Sequence, residues 1–266
     1  EVGIMEQNMV NIAAGMSRFG KVPYYVTYSA FGVGRVLDML RVTVGYTPCN
    51  VKIGGAHSGI SVGPDGATHQ MLEDIAAVRA LPNFTVLAPA DCEQTRKATV
   101  AAYNVHGPVY IRFGREPVPS VTSPDDPFEI GTAHLMAQGE DATIIAMGNM
   151  VAEAMIAHEK LAREKIKVRV LNMHTVKPLD TESIRRAAEE TGVILVAEEH
   201  QIYGGLGSAV AMEVTRLFPV PMDFVAVMDR YGKSGKPDEL LDAFGLRQTD
   251  MIRKIRKLLL KKRRHT

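Results

Sequence analysis

The stretch VKIGGAHSGISVGPDGATHQMLEDIAAVRALPNFTVLAP, residues 51–89, decides the fold. Its apolar run at 51–55 reads as a buried strand and its glycine-rich segment 53–70 as a loop. Apolar spacing over 69–81 reads as a helix, and FTVLAP (84–89) as a second strand. Strand, loop, helix and strand in this order make a parallel crossover, so the sheet is covered on both faces. The rhythm continues outward. Strand-like runs lie at 108–113, 142–148, 167–172, 192–199 and 222–228, with helical patterns over 92–105, 149–164, 180–190 and 205–217. The expected fold class is α/β, with two doubly wound, mainly parallel-sheet domains. REPVPSVTSPDDPF (115–128), with four prolines and neither helical nor strand period, interrupts the rhythm. It divides the chain into a domain over 1–121, a linker over 122–135 and a second domain over 136–266.

The 266 residues are 46% hydrophobic and 23% charged, as in a globular protein. No apolar run reaches the roughly 20 residues of a membrane helix, and no basic leader precedes the first helix. Cys49 and Cys92 stand in no metal or redox spacing, so a reduced, cytoplasmic setting is expected. The last fourteen residues, RKIRKLLLKKRRHT, hold eight Lys or Arg and no acid, leaving the preceding 252 at about −7. An acidic body with a basic helix end suggests neither a nucleic-acid nor a membrane partner.

Chemistry concentrates in the loop after the first of these strands, where parallel sheets bind ligands. Among its glycines stand His57, Asp65 and His69. Asp65 is expected to hold one ring nitrogen of His69 and fix its tautomer, and Thr68 to cap the following helix. Three readings stay open: a hydrogen-bonded structural loop, a metal site whose spacings of eight and four match no common ligand pattern, and an organic substrate site. PVYIRFGREP (108–117) offers Arg112 and Arg115 to a phosphate or carboxylate, and TYSAFGVGR (27–35) places Tyr28 and Phe31 beside glycines and Arg35. GGLGSAV (204–210) has the context of a dinucleotide loop, but Val210 stands where glycine or alanine is needed. At the start of the chain, Glu6 precedes the helical face Met9, Ile12, Ala13 and Met16.

Together these segments resemble one family. GIMEQNMVNIAAGMS, TYSAFGVGR, AHSGISVGPDGATHQ and YIRFGREP are similar, in order and spacing, to the C-terminal section of split bacterial and archaeal transketolases. VRVLNMHTVKPLD, EEHQIYGGLGSAV and KSGKPDELLDAFGL extend the resemblance over nearly the whole chain. It implies a pyrimidine-binding domain followed by a transketolase C-terminal domain, and thiamine diphosphate as cofactor. Glu6 matches the family's catalytic acid, which holds the aminopyrimidine ring and promotes loss of the thiazolium C2 proton. Phe31 matches the aromatic stacked on that ring, and Tyr28 a neighbouring ring of the pocket. His57 matches a histidine near the reacting carbon. Asp65 and His69 match residues that bind sugar hydroxyls, with His69 able to relay protons. Arg115 matches a sugar-phosphate arginine, and Arg35 is placed with it as substrate-binding.

The family's Gly-Asp-Gly motif for diphosphate and metal is absent, and PDGATHQ lacks the first glycine. The resemblance therefore implies that Mg²⁺ and diphosphate are held by a separate N-terminal transketolase subunit, in an α₂β₂ assembly, with no metal ligand from this chain. It also implies a strand and helix that relatives carry ahead of the EQN segment. The implied reaction is transfer of a two-carbon ketol unit between sugar phosphates, as in the pentose phosphate pathway. The alternatives are the β subunit of a 2-oxoacid dehydrogenase, against which DGATHQ speaks, and a non-catalytic paralogue, against which Glu6 and His69 speak.

Overall fold

The structure is a computed structural model that describes residues 1–262; the end of the basic C-terminal stretch lies outside them. Its strands are β1 (Tyr24–Tyr28), β2 (Lys52–Ala56), β3 (Thr85–Leu87), β4 (Val109–Arg112), β5 (His134–Ala137), β6 (Ala142–Ala146), β7 (Val168–Asn172), β8 (Thr175–Lys177), β9 (Ile194–Gln201) and β10 (Met222–Val227). The helices are α1 (Glu6–Arg18), α2 (Leu37–Met39), α3 (Asp74–Ala80), α4 (Cys92–Tyr103), α5 (Met150–Arg163), α6 (Thr181–Thr191), α7 (Leu206–Leu217), α8 (Pro237–Ala243) and α9 (Gln248–Lys262).

Two five-stranded sheets result, ordered β1-β2-β4-β3-β8 and β10-β9-β6-β7-β5. All pairs are parallel except β3 with β8 and β5 with β7. This is the expected α/β class, with one antiparallel edge on each sheet. The central strands β2 and β6 are buried at every residue, as strands covered on both faces must be. Each Val, Ile or Leu taken out of water there contributes about 1.5–3 kcal/mol. Lys52, fully buried on β2, is tolerated because Nζ donates to Asn50 Oδ1, the Val105 carbonyl and the Gly107 carbonyl at 2.6–2.8 Å. Burial pushes its pKa down to about 8.

Several details differ from the sequence reading. The helix expected over 69–81 forms only from Asp74, so Thr68 caps nothing; its hydroxyl bonds His69 Nδ1 instead. The buried face of α1 is Glu6, Val10, Ala13 and Ala14, whereas Ile12 and Met16 are exposed. β1 and the three-residue β8 were not anticipated. β8 leaves the second half of the chain to pair with β3 of the first sheet. β5 begins at His134, inside the stretch expected as linker. The proline-rich strap before it is tied down by Asp91, which accepts from the Val121 and Thr122 backbone amides and the Thr122 hydroxyl while also capping α4 through Gln94. Burial opposes ionisation of Asp91, but these hydrogen bonds outweigh it and lower its pKa. Among the described residues, no helix is long and apolar enough to cross a membrane.

Candidate active site

Glu6 opens α1, with Met5 as N-cap and no side-chain cap. The residue is 5% exposed. Its Oε2 accepts from Arg35 Nη1 at 3.0 Å, and the Arg35 side chain is 43% exposed. Arg35 follows a π-helical turn, Ala30–Gly34, that leaves the C-terminal end of β1. Such wide turns swing a side chain away from the regular helical direction. Here the turn presents Phe31, and the Arg35 guanidinium lies 4.5 Å from the centre of its ring.

The glycine-rich loop meets this group from the other side. His57 stacks on Tyr28, with ring centres 3.9 Å apart. His69 stands edge-on to Tyr28 at 5.7 Å and to Phe31 at 5.3 Å, and the two aromatic rings lie 6.1 Å apart. His57 has φ of 55°, a left-handed conformation that costs a non-glycine residue strain. Its Nδ1 is buried without a hydrogen-bond partner. Burial lowers the His57 pKa, Arg115 adds to the effect, and Asp65 and Glu116 oppose it. The ring is thereby held neutral near neutral pH.

Asp65 does not hold His69, as the sequence reading expected. The short helical turn Ile60–Asp65, with left-handed Gly63, carries its carboxylate to Arg115 Nη1 at 3.0 Å. Arg35, expected at a sugar phosphate, turns to Glu6. Arg112, read as a possible fork for a phosphate or carboxylate, is committed within the protein. It is buried, with Nε on Asp74 Oδ2 at 2.9 Å and Nη2 on the Glu199 carbonyl at 2.8 Å. Burial alone would lower the Arg112 pKa, but Asp74, Glu199 and Tyr110 raise it. Glu6, Tyr28, Phe31, Arg35, His57 and His69 thus form one contact cluster, with the Asp65–Arg115 pair beside His57.

Beneath this cluster runs a buried polar layer that sequence reading missed. Tyr110 Oη donates to Asp74 Oδ2 at 2.6 Å and lies 3.2 Å from Ser29 Oγ; Ser29 in turn bonds Ser58, next to His57. Gly55 is required here, since a Cβ would meet the Tyr110 hydroxyl at 2.2 Å. Glu199 reaches in from β9, accepting from the Ser61 amide and from Asn149, each at 2.6 Å. The acid at the end of the strand in EEHQIYGG was a signal for this layer, but nothing in its spacing named the partner. The glycine turn after β9 is filled by the chain itself. Glu198 accepts from the Leu206 and Gly207 amides at 2.7 and 2.8 Å, occupying the helix N-terminus where a phosphate would bind. Among the described residues, no group of three or more His, Cys, Asp or Glu is arranged to hold a metal ion.

A family model for the transketolase pyrimidine-binding domain matches residues 1–120, and one for the transketolase C-terminal domain matches 131–251. The 6-deoxy-6-sulfo-D-fructose transketolase subunit SqwH of Clostridium sp. (strain MSTE9) is 42% identical over 95% of this chain and 79% of its own length. One of the subunits of the apulose-4-phosphate transketolase of Phocaeicola vulgatus is 40% identical over 92% of this chain and 79% of its own length. A solved structure described as a split gene transketolase, inactive β4 tetramer, superposes with a TM-score of 0.93 at 43% identity, over 98% of this chain and 84% of that one. Fold and family models together define a pyrimidine-binding and C-terminal α/β domain pair of a thiamine-diphosphate-dependent family. The chain belongs to the transketolase family and corresponds to its C-terminal section.

Proposed function

We propose that this chain supplies the pyrimidine half of a two-subunit transketolase that moves a two-carbon ketol unit between sugar phosphates. The observation that carries this reading is Glu6: a buried carboxylate at a helix N-terminus, met by a single side-chain donor and bordered by partly open aromatic rings. An acid that served only the helix dipole would sit in water.

The residues present fit the aminopyrimidine end of thiamine diphosphate. A carboxyl group can share a proton with a ring nitrogen, flat aromatic faces suit the ring, and the buried His57 Nδ1 beside them has no hydrogen-bond partner. When bound, the cofactor supplies a nucleophilic thiazolium carbon. Glu6 holds and exchanges a proton at its carboxylate oxygens, and Phe31 and Tyr28 orient the ring. His57, held neutral, can accept from or donate to a donor hydroxyl. His69 has Nδ1 engaged by Thr68, which leaves Nε2 as its edge toward substrate. Asp65 and Arg115, paired at 3.0 Å, suit a sugar hydroxyl and an anionic sugar end. Mg²⁺ and the diphosphate fall to an N-terminal partner subunit in an α₂β₂ assembly, a reading supported by the missing Gly-Asp-Gly motif. The related β4 tetramer is described as inactive, which accords with such a requirement. The relatives' names point to anionic ketoses that differ in detail, so an anionic ketose is the substrate class, handled in a cytoplasmic setting.

The test is Glu6→Gln in the enzyme reconstituted with its N-terminal subunit, assayed for ketol transfer from xylulose 5-phosphate. The expected loss is about 100-fold or more. Undiminished transfer removes Glu6 from its role, and robust turnover by the isolated chain removes the partner from the scheme.

A further inference from the structure

Arg35 sits where the proposed ligand belongs. Its guanidinium lies over the face of Phe31, 4.5 Å from the ring centre, and donates from Nη1 to Glu6 Oε2 at 3.0 Å. A guanidinium is flat, cationic and edged with N–H donors. An aminopyrimidine shares the shape: a flat face for an aromatic ring and a nitrogen edge for a carboxyl group that shares its proton. The two groups therefore compete for the same two contacts, and van der Waals volume forbids both at once.

The surroundings favour a group that can leave. Glu6 is buried, but the Arg35 side chain is 43% exposed and hangs from the end of a π-helical turn. Among the described contacts, Glu6 and Phe31 are its polar and aromatic partners, with no backbone carbonyl fixing its head. By contrast, the buried Arg112 is fixed by a carboxylate and a carbonyl and cannot move without leaving charges unpaired.

We infer that Arg35 is a displaceable placeholder, occupying the aminopyrimidine position of the free chain until thiamine diphosphate drives it out. The inference rests on the reading of Glu6 and Phe31 as the pyrimidine contacts. A site filled by its own side chain binds more weakly in proportion to the fraction of molecules in which it is open. Placeholding also keeps a buried carboxylate paired, and an aromatic face covered, when the cofactor is away.

The experiment measures the dissociation constant of thiamine diphosphate by titration calorimetry on the reconstituted two-subunit enzyme, for the unaltered chain, Arg35→Ala, Arg35→Lys and Glu6→Gln. Arg35→Ala is expected to tighten cofactor binding about three- to tenfold, with a smaller gain for Arg35→Lys, which keeps charge but lacks the flat face. In the free chain, the Arg35 side-chain proton resonances should lie upfield under the Phe31 ring current. They should return to ordinary positions in Phe31→Leu and on cofactor loading. Cofactor binding unchanged or weakened by Arg35→Ala, while Glu6→Gln weakens it, overturns the placeholder alone. So do Arg35 resonances at ordinary positions in the free chain. Cofactor binding unchanged by Glu6→Gln overturns the underlying reading of the site as well.

Discussion

Two glutamates meet helix N-termini, one in each half of the chain, and they are treated in opposite ways. Glu198 is sealed: both carboxylate oxygens take backbone amides of α7, at 2.7 and 2.8 Å, and the residue is 1% exposed. Gly205 and Gly207 close over it, since a Cβ on either would lie 2.0 or 2.9 Å from its oxygens. Glu6 is as deeply placed but is met by one long, half-exposed arginine. Fixed backbone partners make a carboxylate part of the scaffold. A mobile side-chain partner makes it exchangeable, and exchange is what a ligand site requires. Burial pushes the Glu198 pKa up to about 7 against the pull of those amides, so even strong desolvation does not by itself mark a catalytic acid.

The sharpest way to break this contrast is to truncate both. Glu6→Ala should cost about 10²–10⁴ in ketol transfer by the reconstituted enzyme while leaving urea-unfolding stability within about 1 kcal/mol. Glu198→Ala strands two buried amides and opens a void, and should cost about 2–4 kcal/mol in stability. If Glu6→Ala unfolds the chain as readily as Glu198→Ala does, the open–sealed distinction fails.

The parallel α/β layers were legible because β6 is nearly all apolar and β9 opens on an apolar run at 194–197. β8 was not, because three residues carry no period and its antiparallel pairing with β3 is set by tertiary contact. At the site, residue types alone left Glu6 an ordinary helix-end acid; only the motif around it suggested chemistry. The Asp65–His69 pairing failed because a four-residue spacing means proximity only on a helix, and Gly63 turns that loop away. The layer of Asp74, Tyr110, Arg112 and Glu199 escaped notice because charged residues give no sequence sign that they will be buried together.

Histidines extend the contrast to pH. His57 at the open site and His174 in the sealed half both have lowered pKa values, chiefly through burial. His174 stacks on Phe128 and is pushed down to about 4, with His134 adding to the effect and Asp180 opposing it. Its folded pKa lies below its unfolded value near 6.5, so the unfolded chain binds the extra proton first. Stability should therefore fall as pH drops from about 6.5 to about 4, by at most about 3 kcal/mol from this residue. His174→Gln should flatten that slope in urea unfolding without shifting the acid limb of the ketol-transfer profile. His57→Gln should shift that acid limb and also flatten the stability slope, since burial lowers its pKa too.

The smallest expected effect tests the open site most finely. Arg115 pairs with Asp65 at 3.0 Å, and both side chains are partly exposed, so water already screens the pair. Removing it should cost no more than about 1 kcal/mol of stability. If the pair is exchangeable, as the Glu6–Arg35 pair is, an anionic sugar end replaces Asp65 as the partner of the guanidinium. Arg115→Ala should then raise KM for the sugar substrate about tenfold, equivalent to about 1.4 kcal/mol, with the cofactor dissociation constant unchanged. Arg115→Lys keeps the charge but loses the two-pronged geometry, so it should recover only part of the loss. A KM indifferent to both substitutions would make Asp65–Arg115 a surface ion pair, and the exchangeable region would shrink to the rings and acid around Arg35.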